Sequence, residues 1–306
     1  MARTTADLSL MMRALDPVRA SQLDPRTPPL PFVEPSSISL KGLRVGLFTD
    51  DGWVPPSRAV VRAVERASKA LQTQGCEVVA FAPPDTLEAI TLYFAAMAAD
   101  GGRTIAPLLE GGAVDLVLEG LRKLASIPPS VRSVASKLAN LAGEERVARL
   151  LRVTHEKNVA ELWAVTARIR EYRARMLDAL DAAKIDALIC PAHANPALPH
   201  EKSRDYAMAG SMSMLFNLVQ FPAGVVPVTT VRNDEASRLS RRDRLEKLAA
   251  DVDAQSAGLP VGVQVVGRPW AESTVLALMG AIESEVQNDE GFPRTPIPAI
   301  RATAEA

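Results

Sequence analysis

The chain has 306 residues, 47% of them apolar, and a formal net charge of -1. That is room for one large α/β domain or two ordinary ones with an ample core, and it gives no global electrostatic reason to bind nucleic acid, so any basic surface must be local. Cys76 and Cys190 are the only cysteines and neither sits in a Cys-x-x-Cys pair, which excludes a disulfide framework and a cysteine-rich zinc site.

The amino terminus, "MARTTADLSLMMRALDP", places Arg3, Asp7 and Arg13 inside what would have to be the apolar core of a signal peptide, so it reads as an amphipathic helix of the fold. Asp24 to Pro35, "DPRTPPLPFVEP", is a connector in which prolines remove amide donors and restrain their predecessors. "LRVGLFTD", Leu43 to Asp50, predicts a buried strand. Ser57 is placed as a helix N-cap, with Val60, Val61, Val64, Ala67 and Leu71 forming an apolar face. Gly75 follows at the position that favours a left-handed C-terminal residue, and "EVVAF", Glu77 to Phe81, predicts a second strand. Strand, helix and strand imply a parallel pair with a right-handed crossover. The longest uncharged apolar run, Ala89 to Ala99, is too short to cross a bilayer, which takes about 20 residues.

Residues 114 to 184 read as a helical insertion, broken at Ile127 to Ser130 by Pro128 and Pro129. Its second part is a long helix with Leu162, Val165, Ile169, Tyr172, Met176 and Leu180 on one side. Leu116 to Asn140 is a basic amphipathic hairpin that could lie in a membrane interface; lacking Trp or Phe anchors, it reads as a surface helix pair packed on the domain. "DALICPA" (Asp186 to Ala192), "AGVVPVTT" (Ala223 to Thr230) and "VGVQVVG" (Val261 to Gly267) predict further strands. Arg232 to Gln255, dense in both charges, reads as a solvated loop with a short helix, and the tail from 291 to 306 as frayed.

Chemistry-bearing motifs are scarce. No Gly-x-Ser-x-Gly elbow, phosphate loop, His-Glu-x-x-His or Gly-x-Gly-x-x-Gly occurs, so four common chemistries lose their support. "CPAHANPALPH" sets Cys190, His193 and His200 on a strand end and its loop, where a Cys-His pair or a metal site is conceivable. The loop has no acidic residue between its histidines, and the simpler reading is a buried cysteine with two loop histidines. Ser36, Ser37 and Lys41 occur together, but in a proline-flanked linker with no glycine-rich loop to hold an oxyanion. The sequence implies no metal and no cofactor.

Three stretches carry a resemblance. "GLPVGVQVVGRPWAE", Gly258 to Glu272, resembles the closing strand-turn-helix of the amidase signature family. "LFNLVQFPAGVVPVTTV", Leu215 to Val231, is similar to that family's penultimate strand in the form seen in fatty acid amide hydrolases. "ADGGRT", Ala99 to Thr104, with "LDPRTPPLPF", Leu23 to Phe32, is similar to that branch. The resemblance covers Met1 to about Val286. It implies an α/β fold, the C-terminal part of an α/β/α sandwich with a central mixed sheet and a helical cap insertion. Residues 1 to 290 would form this portion and 291 to 306 a flexible tail. It further implies hydrolysis of linear amides, in this branch often of fatty acids, by a lysine, a serine in a cis peptide and a nucleophilic serine.

In the family those three groups precede the point that Met1-Ala2-Arg3 resembles, and no glycine- and serine-rich loop occurs among the 306 residues. No catalytic residue is therefore assigned. The positions that match the walls of the acyl channel are Met97, Ala98, Ala207 and Gly210. The expectation is a chain inactive alone, with unpaired sheet-edge groups and an uncovered apolar face. Its expected partners are a separate amino-terminal half or a second copy and a small amide or lipid ligand, without nucleic acid. Its expected location is cytoplasmic, peripheral at a membrane if the cap touches one. Two alternatives stand beside this: a non-catalytic lipid- or partner-binding protein on half of the fold, and a hydrolase built on Cys190 and His193.

Overall fold

The computed structural model describes residues 1–109, 127–200, 202–204, 206–238 and 242–294. Its centre is a five-stranded mixed sheet in the order β2-β1-β3-β5-β4. The strands are β1 (Arg44–Leu47), β2 (Glu77–Ala80), β3 (Ala187–Pro191), β4 (Ala223–Thr230) and β5 (Pro260–Gly267). β1 pairs in parallel with β2 and with β3, and β5 runs antiparallel to both β3 and β4. Each strand predicted from the sequence is present: β1, β2 and β3 are trimmed by one to three residues at an end, β4 has the predicted bounds and β5 starts one residue earlier.

The period-two alternation of the strands sorts side chains onto two faces. On one face Val45, Ile189, Val226, Val228, Val261, Val263 and Val265 meet the helices α3 (Arg58–Thr73) and α10 (Glu272–Val286). Ser57 caps α3 by accepting from the Val60 amide at 3.3 Å, and Gly75 closes it at φ +87°, the left-handed conformation glycine adopts without penalty. α1 (Thr5–Leu15) packs on the outside of α10, where the Thr5 amide donates to Glu283 Oε2 at 2.9 Å. A second short helix, α2 (Pro17–Leu23), leads into the proline-rich connector.

On the opposite face Leu188, Cys190 and Val266 pack against α4 (Thr86–Met97), α7 (Val159–Ala182), α8 (Ser211–Val219) and α9 (Arg244–Asp253). Gly46 is the small residue that allows this, since a Cβ there would lie 2.7 Å from both Ile185 and Leu188. The layers are therefore helix, sheet and helix, the α/β/α arrangement expected.

Three expectations are corrected. Arg232 to Gln255 is not a solvated loop: Glu235, Asp243, Glu246 and Asp253 are buried in it, each paired with an arginine. Buried carboxylates persist only when paired, and mixed charge density alone does not show the pairing. The helical insertion has further breaks, giving α5 (Pro129–Leu141), α6 (Glu145–Val153) and α7, with Gly143 at φ +79° between the first two and an Asn158–Glu161 capping box opening the third. Its first part, residues 114–126, lies outside the described residues. The tail from 291 does not fray at once, because Phe292 packs on the apolar face; residues 295–306 lie outside the described ones.

α5 packs against α6 with its polar side inward, and the other half of the expected hairpin lies outside the described residues. Arg132 donates from Nε to the Ile127 carbonyl at 2.8 Å and from Nη1 to Thr154 Oγ1 at 3.2 Å, and Ser136 donates to the Ala148 carbonyl at 2.9 Å. Val131, Val134, Leu138 and Leu141 are left exposed along the other side.

Candidate functional site

One opening lies at the carboxyl end of β3, where ligands of open α/β sheets commonly bind. There the chain leaves the sheet in the loop Ala192 to His200. The loop is tied at both sides: the Ser57 amide donates to the Ala194 carbonyl at 2.7 Å and the Ala194 amide to the Ala209 carbonyl at 2.8 Å. A cavity of about 260 Å³ opens beside it, lined among others by His193, Asn195, Leu198, Val225, Val261 and Gly262.

Buried hydrogen bonds fix this wall. Asn195 Nδ2 donates to Asp253 Oδ1 at 2.5 Å and to the Ala249 carbonyl at 3.1 Å, while its Oδ1 accepts from Tyr206 Oη. Asp253 in turn accepts from Arg238 Nε at 2.6 Å, and Arg238 Nη1 donates to the Pro55 carbonyl at 2.7 Å. His193 stands edge-on to Tyr206, with ring centroids 6.1 Å apart. Its Nδ1 lies 3.0 Å from the Asn195 carbonyl and 3.1 Å from the Asn195 amide, so either tautomer of the neutral ring has a backbone partner in that residue. Burial holds this imidazole below its ordinary pKa, so it is neutral at pH 7.

A second polar group lies under the cavity. Ser213 Oγ donates to the Ala192 carbonyl at 2.6 Å and reaches Gln264 Oε1 at 3.1 Å, and Gln264 Nε2 donates to Cys190 Sγ at 3.5 Å. Nearby, Asp51 accepts from the Trp53 amide at 2.9 Å and from Ser211 Oγ. Burial raises the Asp51 carboxyl above its ordinary range against the pull of those two donors.

These contacts decide the sequence candidates. Cys190 is fully buried, burial raises its thiol pKa, and its sulfur faces Gln264 rather than an imidazole, so it is not an activated nucleophile. His200 is exposed at the far end of the loop, and His155 Nδ1 faces the Glu156 carbonyl at 2.7 Å. Ser37 donates to the Glu34 carbonyl at 2.8 Å in a short surface turn, as a linker serine would. Among the described residues no group of three or more His, Cys, Asp and Glu is placed to hold a metal ion.

Of the four channel positions, Gly210 lies beside His193, whose side chain lines the cavity. A Cβ there would lie 3.8 Å from His193 Cδ2 and 4.0 Å from Met214. Ala207 opens the same short 3-10 helix, Ala207–Gly210. Met97 ends α4 and is 67% exposed, and Ala98 is its half-buried C-cap. The adjoining "DGG" is a tight turn in which Asp100 accepts from the Gly102 and Thr104 amides at 2.8 and 3.0 Å.

The family described as Amidase matches residues 1–276. The chain belongs to the amidase family. Fatty-acid amide hydrolase 1 of Sus scrofa is 32% identical to it over 292 residues, which is 92% of this chain and 50% of that protein. Fatty acid amide hydrolase 1 of Caenorhabditis elegans is 31% identical over 270 residues, 87% of this chain and 47% of the other. A solved structure of a fatty acid amide hydrolase shares the fold at a TM-score of 0.67 and 23% identity, covering 94% of this chain and 47% of that one. The chain thus spans about half the length of the curated amidases it matches, as a carboxy-terminal portion would. Sequence reasoning missed the hydrogen-bonded polar residues Asp51, Asn195, Tyr206, Ser213 and Asp253 of this region. Only Gln264 gave a signal, as the polar residue in an otherwise apolar strand.

Proposed function

We propose that this chain forms the non-nucleophilic wall of an amidase site for linear amides with a fatty acyl chain, inactive until a segment bearing the family's two serines and lysine joins it. The observation that carries the reading is the lining of the cavity. Among the described residues His193 is its one titratable side chain, and no serine, cysteine, threonine or lysine lines it. Such a wall positions and desolvates but cannot attack a carbonyl. In the assembled site the joining segment's serine attacks the amide carbonyl, and its lysine, through the second serine, takes the proton and passes it to the leaving amine. Water then cleaves the acyl-enzyme. This chain contributes the loop held by Asn195 and Asp253, with the side-chain-free Gly210 leaving room beside His193.

The test is labelling of the purified chain with a fluorophosphonate, read by intact mass. No adduct is expected, and stoichiometric labelling would sink the reading by showing an activated serine within these residues.

A second reading, a lipid- or partner-binding protein without catalysis, draws support from α5. Its outward Val131, Val134, Leu138 and Leu141 lie beside a depression of about 790 Å³ lined by Lys137, Arg149, Arg152 and Glu145. An apolar strip with neighbouring cations suits the interface of an anionic bilayer, which would place the chain peripherally on a membrane. Co-flotation with vesicles of phosphatidylcholine and phosphatidylserine checks it, and a chain that stays at the bottom of the gradient would remove it. No helix among the described residues is long and apolar enough to cross a membrane.

A further inference from the structure

β5 begins beside the cavity of His193 and runs to a second hollow, of about 470 Å³, at the opposite end of the sheet. The inner wall of this hollow is apolar, with Phe216 and Phe221 buried and Pro222 half-buried beside them. Two turns shape its rim. Gln220 ends α8 at φ +58°, and Trp270 stands at φ +66° in the turn from β5 to α10. A positive φ is uncommon for a bulky residue, so surrounding contacts must hold that turn. Arg268 does so from its foot, donating from Nε to the Ile185 carbonyl at 2.8 Å and from Nη1 to Asp181 Oδ1 at 2.6 Å. Trp270 is left 55% exposed on the wall.

Two charged side chains line the same hollow, Arg173 of α7 and Glu272 at the start of α10. Arg168 and Arg175, on the same helix as Arg173, both reach Glu88. Arg173 differs from them: its Nε is enclosed without a hydrogen-bond partner, and no carboxylate among the described residues pairs with it. A guanidinium keeps its charge and offers five donors in a planar fork, so an enclosed and unpaired Nε costs free energy that an arriving acceptor recovers. A carboxylate is the acceptor whose two oxygens match that fork. Glu272 does not fill this role. It lies in the first turn of α10, where a helix amino terminus favours negative charge, and forms no ion pair with Arg173.

We infer that this hollow is a binding site for a small apolar carboxylate, its oxygens on Arg173 and its apolar body against Trp270, Phe221 and Pro222. One guanidinium without a partner beside an apolar wall names the occupant. Inorganic phosphate has no apolar body, and a neutral apolar molecule has no charge for Arg173; a carboxylate with an apolar body uses both. The open indole and the prolines favour a flat body that stacks on them. Glu272 sets a limit, because its like charge disfavours a second carboxylate on the ligand.

The test titrates the full chain, labelled with fluorotryptophan, with naphthalene-2-carboxylate and with the neutral naphthalene-2-carboxamide, read by calorimetry and fluorine NMR. A single site is expected, at which the acid binds at least about tenfold more tightly than the amide. The Trp270 resonance should move with saturation, while those of the buried Trp53 and of Trp163 on α7 stay in place. Arg173→Gln should erase the advantage of the acid, and Trp270→Ala should weaken both ligands by about tenfold. Glu272→Gln should tighten the acid by removing a like charge. Melting curves check that each variant folds, and the comparison of acid with amide on the unaltered chain needs no variant. No saturable binding, equal affinity for acid and amide, or saturation with the Trp270 resonance unmoved would overturn the site. So would a folded Arg173→Gln variant that keeps the preference for the acid. Tighter binding of L-tryptophan than of the naphthoate, lost in Glu272→Gln, would show an amino acid held through both charges and overturn the class named.

Discussion

The two faces of the sheet are built from different chemistry. Toward α3 and α10 the strands present valines and one isoleucine to Ala59, Val60, Ala63, Val64, Ala67, Leu278 and Ile282. That face is held by burial and fit, at roughly 25 cal/mol for each Å² of apolar surface removed from water. Toward α8 and α9 the aliphatic layer is interrupted by Asp51, Asn195, Ser211, Ser213, Asp253 and Gln264, all near the carboxyl end of β3 and most of them fully enclosed. Apolar contact is non-directional and tolerates small shifts. Linked hydrogen bonds do not, because a displaced buried partner costs about 1–3 kcal/mol. The difference locates where this fold fixes orientation rather than mere compactness, and it does so beside the cavity.

The sharpest way to break this contrast is to remove a cation from the polar face. Arg238→Met leaves Asp253, with no exposed surface, without its ion-pair partner, and is expected to cost about 4 kcal/mol in urea unfolding. Leu278→Ala opens a cavity on the apolar face and should cost about 3 kcal/mol by the same measurement. The first should also disturb the resonances of Asn195 and His193, whereas the second should leave them in place.

The pH dependence separates the faces more finely, since the described titratable groups enclosed at the cavity end belong to the polar one. Burial raises the Asp51 pKa, so its folded state binds a proton more tightly than the unfolded chain. Stability is then full below the ordinary carboxylate value of about 3.9 and declines as pH rises through the raised one. His193 is shifted the other way. Its pKa is depressed, so its contribution is full above about 6.5 and is lost as pH falls through the lowered value. Asp51→Asn should remove the fall in stability that sets in above about pH 3.9, and His193→Asn, whose side-chain amide can take the place of Nδ1, the fall that sets in below about pH 6.5. A profile unchanged in both variants would show that neither group titrates with folding. The smallest effect is expected outside both faces, where Leu138→Gln on the outward side of α5 should stay within about 0.5 kcal/mol.

The apolar face was legible in the sequence because period-two and helical spacing are the physics that forms it. Val261, Val263 and Val265 alternate with Gly262 and Gln264, and Ser57 and Gly75 bracket α3. The polar face was much less so. Asn195 and Asp253 are 58 residues apart, and no local pattern states that they touch. The charged stretch before Gly258 reads as solvated because composition counts charges and not partners; Arg62, Arg146 and Arg238 supply those partners, two of them from far along the chain. For α5 the periodicity gave the stripe but not its direction. That was decided by Thr154 and the Ala148 carbonyl, which satisfy Arg132 and Ser136.

The contact of Thr5 with Glu283 has a mechanical side. It fastens the first helix to the last one outside the sheet, so a load applied through the two ends of the described fold meets α1 lying against α10 before it meets any strand. Such a load peels one helix from another, loosening contacts in succession, where a load along the sheet would have to shear many ladder bonds together. The described fold is therefore expected to yield first between α1 and α10 when pulled at those points, with β3 and its cavity shielded from that tension.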